Sequence, residues 1–131
     1  MAMADLEKIT INLTPVDLGR IDILVEEGFY QNRSDFIRAA IRGELDEHDD
    51  AITSKATRYP NWETGVVRFT RQDLEIMARE TAKRDLYGLG RLIIDGDTPA
   101  SLVDWVFGKV HWYGPIEASN NVRSVIGRKT Q

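Results

Sequence analysis

The segment Glu7-Lys-Ile-Thr-Ile-Asn-Leu13 alternates strictly between polar and apolar residues, and the next segment that reads as a strand begins only at Gly65. Ile9, Ile11 and Leu13 fall on one face of an extended chain, and Lys8, Thr10 and Asn12 on the other. A strand with no neighbour leaves backbone donors and acceptors unpaired along both edges. Whatever this chain folds into must close those edges.

Helices follow at once. Thr14 reads as an N-cap, Pro15 as the first helical residue and Asp17 as the acidic residue three positions after the cap. Val16, Leu18, Ile21, Leu24 and Val25 recur at helical spacing, and Gly28 ends the helix. A second start comes at Asn32-Arg33-Ser34-Asp35, with Asn32 as cap and Asp35 in the capping-box position. Ile37, Ala40, Ile41 and Leu45 form the apolar stripe, with Phe36 beside it. The acidic run Asp46 to Asp50 closes this helix on the solvent side, and fraying is expected there because acids oppose the dipole at a helix C-terminus.

Strand, helix, helix is a unit too short to bury much apolar area alone. Both difficulties disappear if the strand pairs antiparallel with its copy in a second chain and the two helix pairs share one core. The expectation is an obligate, intertwined, two-fold symmetric dimer.

With these elements in order, residues 8–45 resemble the ribbon-helix-helix DNA-binding fold of the Arc/MetJ/CopG type. The segments that carry the resemblance are Lys-Ile-Thr-Ile-Asn-Leu-Thr-Pro at 8–15, Gly28, and Asn-Arg-Ser-Asp-Phe-Ile-Arg-Ala-Ala-Ile-Arg at 32–42. The resemblance implies a two-stranded ribbon in the DNA major groove, its polar face towards the bases. By position, Lys8, Thr10 and Asn12 of each chain would contact bases. Lys donates to guanine, Asn can pair bidentately with adenine, and Thr offers a hydroxyl and a methyl. Asn32, Arg33 and Ser34 would hold a backbone phosphate at the helix N-terminus. Dimer symmetry implies a palindromic or inverted-repeat operator. Other readings stay open: a merely solvated strand face for Lys8, Thr10 and Asn12, and for Arg33 a pairing with Asp35 or with a carboxylate of the partner chain. Arg38 and Arg42 read as surface or inter-subunit residues.

Residues 53–64 are polar, contain Pro60 and show no apolar periodicity, so they read as a linker in which Tyr59 and Trp62 tack onto a neighbouring surface. Residues 65–131 form a second unit. Gly65-Val-Val-Arg-Phe69 is a short strand, and Thr70 caps a helix from Arg71 to about Lys83 with Leu74, Met77, Ala78 and Ala82 inward. A weak repeat follows at an offset of 24 residues: Leu86, Gly88, Gly90, Leu92 and Ile94 match Val110, Trp112, Gly114, Ile116 and Ala118. Each run leads through a polar turn into a short apolar segment, around Leu102-Val103 and Val125-Ile126. Stacked strand-turn-helix coils of a small solenoid are one reading, and a compact α+β domain is the other. Trp105, Phe107, Trp112 and Tyr113 are either core or an exposed patch for a protein partner or self-association.

Charge and composition set the remaining bounds. Residues 1–52 hold 5 basic and 12 acidic side chains, residues 53–131 hold 12 and 9, giving −7 and +3. The acidic residues of the first unit would lie mostly on its first helix and the tail of its second, away from DNA. There is no cysteine, hence no disulfide, thiolate or Cys-based zinc site. Nothing looks catalytic: His111 has no nucleophile or carboxylate at a telling spacing, Asp95, Asp97 and Asp104 sit in turn-like contexts, and Gly88-Leu-Gly90 lacks a nucleotide fingerprint. No cofactor is expected. The N-terminus lacks the blocks of a signal peptide, and no apolar run would span a bilayer, which points to a cytoplasmic protein with no membrane partner.

The expected whole is α+β. A ribbon-helix-helix domain for DNA binding and dimerisation at 1–52 and a linker at 53–64 precede an α/β domain at 65–131 for oligomerisation or partner binding. The function expected is a homodimeric, sequence-specific transcriptional regulator acting as a repressor on double-stranded DNA. The alternatives are an antitoxin that binds its toxin through the C-terminal unit and represses its own operon, and an architectural DNA-organising protein.

Overall fold

A computed structural model describes residues 6–80 and 82–130. The chain divides into two compact units, Leu6–Lys55 and the residues from Ala56 on. Residues 1–5 of the expected first domain lie outside the described residues.

In the first unit, residues 6–14 carry no helix or strand. Strand character is defined by pairing, and a single chain gives the alternating segment nothing to pair with. Helix α1 (Pro15–Glu26) starts as its sequence requires, with Thr14 Oγ1 accepting from the Asp17 N–H at 3.1 Å and Pro15 in the first turn. Gly28, at φ +87°, turns the chain out of it, and its N–H donates back to the Val25 carbonyl. Helix α2 (Arg33–Glu47) follows, and Tyr30 meets Phe36 edge-on at 5.0 Å across the turn.

The acidic run behaves differently from its expected solvent-side fraying. α2 stops at Glu47, His48 caps it, and a third helix, α3 (Asp49–Thr57), begins. Acids that are unfavourable at the end of α2 become favourable in the first turn of α3, where Asp49 and Asp50 sit. The expected linker at 53–64 is correspondingly shorter. Residues 53–57 complete α3 and Glu63 and Thr64 open the first strand, so only 58–62 are irregular. α3 lacks an apolar stripe, which is why periodicity missed it.

The second unit repeats one step three times. Strand β1 (Glu63–Phe69) leads to α4 (Arg71–Glu80), β2 (Arg84–Ile94) to α5 (Ala100–Val106), and β3 (Phe107–Tyr113) with its continuation β4 (Ile116–Glu117) to α6 (Asn120–Lys129). α4 is capped reciprocally, the Thr70 hydroxyl taking the Asp73 N–H and the Asp73 carboxylate taking the Thr70 N–H. It ends at Glu80, short of the expected Lys83.

All strands are parallel, in the order β1-β2-β3, with β4 also paired to β2. The repeat offset is the strand register: Leu86 pairs with Val110 and Leu92 with Ile116, 24 residues apart. β1 supplies an earlier copy at an offset of 25, with Gly65 opposite Gly90 and Val67 opposite Leu92. Gly65, Gly90 and Gly114 share a φ near +120°, at 120°, 124° and 120°. A Cβ on Gly90 would run into the Gly65 carbonyl, and one on Gly114 into the Gly90 carbonyl. Two conditions, left-handed backbone and close approach of the preceding strand, thus select glycine at that step.

Leu74, Leu86, Leu92, Val103, Phe107, Val110 and Val122 are fully buried between the sheet and α4–α6. The opposite face carries an aromatic rack. Tyr59 packs on Tyr87 at 4.4 Å and on His111 at 5.9 Å, and Trp62 stacks on Tyr113 at 6.2 Å. Tyr59 and Trp62 therefore do hold residues 58–62 on a surface of their own unit. The four aromatics of residues 105–113 differ in burial. Phe107 is core and Trp112 packs against it, whereas Trp105 and Tyr113 are exposed.

Between Arg84 and Leu86 the β2–β3 register shifts. There the Asp85 carboxylate accepts the Lys109 N–H at 2.7 Å and the Tyr87 hydroxyl at 2.9 Å, replacing a ladder bond that the irregularity removes. These donors, the Lys109 N–H first, hold Asp85 below the usual carboxylate range against the opposing effect of burial.

Candidate nucleic-acid interface

The first unit cannot form a core from its own atoms. Among its described residues only Ile21 is buried, and Ile9, Ile11, Ile41 and Leu45 are 74, 51, 45 and 53% exposed. Their exposure is organised: Ile11, Leu13, Ile21, Leu24, Phe36, Ile37, Ala40 and Ile41 line one open groove of about 400 Å³. Lys8, Thr10 and Asn12 are exposed and do not line it. Period-two alternation thus puts Ile11 and Leu13 on the groove and the three polar residues elsewhere, while Ile9 lies exposed beyond it.

At the start of α2 the expected phosphate group is already partly engaged. Asn32 Oδ1 accepts the Asp35 N–H at 2.8 Å, and the Asp35 carboxylate reaches back to the Gln31 N–H at 3.1 Å. Arg33 does not pair with Asp35. It forms a bidentate pair with Asp22 of its own chain, Nε and Nη2 each donating at 2.9 Å, so that the end of α2 is fastened to the middle of α1. That hydrogen bond, more than proximity of charge, lowers the Asp22 pKa and raises that of Arg33. Both side chains remain about half exposed, at 52 and 54%, so the pair orients Arg33 more than it stabilises the fold. With the Asp35 amide taken by Asn32, the amides of Arg33 and Ser34 are the donors left facing outward among the described residues. The pairing with Asp22 lies eleven residues back, at no motif spacing, and had no sequence signal.

Two clusters are therefore on offer in the first unit, the uncharged-to-basic side chains Lys8, Thr10 and Asn12 and a helix N-terminus whose arginine is tethered. No group of three or more metal-ligating side chains occurs among the described residues, and no described helix is long and apolar enough to cross a membrane.

Residues 4–123 match the model of the ribbon-helix-helix transcriptional regulator family. The chain belongs to that family. The match extends far beyond residues 8–45 and takes in all the strands of the second unit and α4 and α5, ending in the first turn of α6. This family member is also 33% identical over 51 residues to transcriptional regulator CdrS of Halobacterium salinarum, a stretch covering 39% of this chain and 93% of that protein. That relative is hardly longer than the matched stretch. No solved structure matches the chain.

Proposed function

We propose that the protein is a homodimeric, sequence-specific DNA-binding regulator that represses transcription from a palindromic operator. The observation that carries this reading is the open groove of the first unit in a chain of this family. Ile11 and Leu13 flank Asn12 and line an apolar surface that a second copy would fill, which leaves Lys8, Thr10 and Asn12 directed away from the shared core. Two such segments paired antiparallel make a ribbon with three polar side chains from each chain, of a width that the major groove admits. The amides of Arg33 and Ser34, with Asn32 fixing the turn, would take a phosphate on each side, and Arg33 would reach it only while held by Asp22.

In this reading the DNA-binding domain ends near residue 55, and the residues from 56 on form a short solenoid of three strand-turn-helix coils serving assembly. The antitoxin alternative is disfavoured by that second unit having its own packed core, since partner-ordered tails lack one. Anisotropy titration against the DNA upstream of the protein's own gene, beside random DNA at two salt concentrations, tests the proposal. Tight binding to the upstream DNA alone supports it. Equal, salt-sensitive binding to both indicates an architectural protein, and no binding to either refutes DNA recognition.

A further inference from the structure

The parallel sheet of the second unit has two free edges, and they are built differently. The β3–β4 edge is guarded. Exposed Lys109 lies on it, Gly114 kinks it, Pro115 offers no N–H, and β4 is only 2 residues long. These are the devices by which edges resist pairing. β1 has few of them. It runs 7 residues without proline or lysine, and its Val66 is 49% exposed. Its one cation, Arg68, is drawn across the sheet by a two-pronged bond to Asp95 beyond the end of β2, at 2.8 and 3.1 Å, instead of standing guard. Among the described residues no strand lies on the outer side of β1. The same end of the stack has a crevice of about 330 Å³ lined by Phe69, Ile76 and Met77 with Arg68 and Asp73 at its rim. A stacked-coil array exposes its core at an end unless something caps it.

We infer that β1 is an interface between copies of this chain, pairing antiparallel with β1 of a second copy about a two-fold axis at Val66. The guarded far edge argues against head-to-tail addition, which would join β1 to β3 and grow without closing. Antiparallel pairing centred on Val66 sets Val66 against its own copy and Thr64 against Arg68 of the second copy, so no like charges meet. It also brings each Phe69 crevice towards the other chain. This surface is separate from the ribbon and does not depend on it.

The chain has no cysteine, so a single substitution reports the contact cleanly. Residues opposite one another in an antiparallel pair lie about 4.5–5.5 Å apart, within disulfide reach. Val66→Cys, mildly oxidised in the full chain at low micromolar concentration, should shift to a band of twice the mass on a non-reducing denaturing gel. Lys109→Cys, on the guarded edge, should stay at monomer mass. Equal crosslinking of the two, or none at Val66→Cys, would overturn the interface. Sedimentation supplies the second measurement: Ile11→Glu, which breaks the ribbon, should still give a dimer, and adding Val66→Lys should give a monomer. An Ile11→Glu chain that is already monomeric also overturns it. Loss of DNA binding in Ile11→Glu reads the ribbon alone.

Discussion

Replacing Asn12 by Ala separates recognition from folding more cleanly than any other change in the first unit. The side chain is exposed, does not line the apolar groove and is uncharged, so its removal leaves the apolar contacts of Ile11 and Leu13 intact. Two-fold symmetry places one Asn12 in each half-site. A bidentate amide–adenine pair contributes about 1–3 kcal/mol of discrimination, so two of them give roughly 2–6 kcal/mol. At about 1.4 kcal/mol per tenfold, operator affinity should fall by between ~30-fold and ~10⁴-fold. Because no charge is lost, binding to random DNA and the slope of log affinity against log salt should stay as in the parent. Fluorescence anisotropy on both DNAs at several salt concentrations reads both quantities, and thermal melting of the free variant checks that its stability is unaltered. Unchanged operator affinity would refute the ribbon assignment, and an equal loss on both DNAs would show that Asn12 acts through the fold.

Further outcomes follow from other features. Since the groove of the first unit is filled only by a second copy in the proposed dimer, tenfold dilution should lower the unfolding free energy of that unit by about 1.4 kcal/mol, read as a shift in urea midpoint; a concentration-independent midpoint would contradict the dimer. Asp22→Asn should free Arg33 and weaken operator binding with little change in melting temperature, and binding equal to the parent would remove Arg33 from the phosphate contact. Asp85 has its pKa lowered in the fold, so its stabilisation is fully present above its unfolded value of about 3.9 and is lost as pH falls through the lower folded value. Tryptophan-monitored melts between neutral pH and pH 2 should show that loss, and Asp85→Asn should lack this part of it while costing about 1 kcal/mol at neutral pH. Gly90→Ala should destabilise the second unit by roughly 2–4 kcal/mol through backbone strain and collision with the Gly65 carbonyl. Gly65→Ala, with the same φ but nothing near its Cβ, should cost only the strain, and equal melts for the two would discount the collision.

Much of this architecture can be read before any coordinates. Thr14-Pro15, Asn32 to Asp35 and Thr70 to Asp73 declare helix starts because capping is local chemistry, satisfied within four residues. The 24-residue offset is legible because a parallel register repeats the same inward positions. The first copy of that repeat escaped because β1 shares little beyond the glycine, with Val67 and Phe69 two and four residues on, and is shifted by one residue. α3 escaped because a polar helix has no stripe. The tether between Arg33 and Asp22 is a matter of how two helices pack, which no spacing rule encodes. Family resemblance, not periodicity, singled out Lys8, Thr10 and Asn12, since a strand's solvated face and its DNA-reading face carry the same pattern.

The glycine column has a consequence for how such a chain can change over time. Each coil meets the one before it through a backbone contact and a small set of inward residues, and nothing in that joint depends on how many coils precede it. A duplicated segment of one period would bring its own glycine, its own strand and its own helix, and would dock by the same contact. Length can therefore be gained or lost in whole coils after Gly65 while the helical segment ahead of it stays untouched. A partial insertion has no such freedom, because it moves the next glycine off the column and sets a side chain against a carbonyl. Variants of this chain should thus differ in length by about one period, or by loop residues between strand ends and helix caps, and seldom by anything in between.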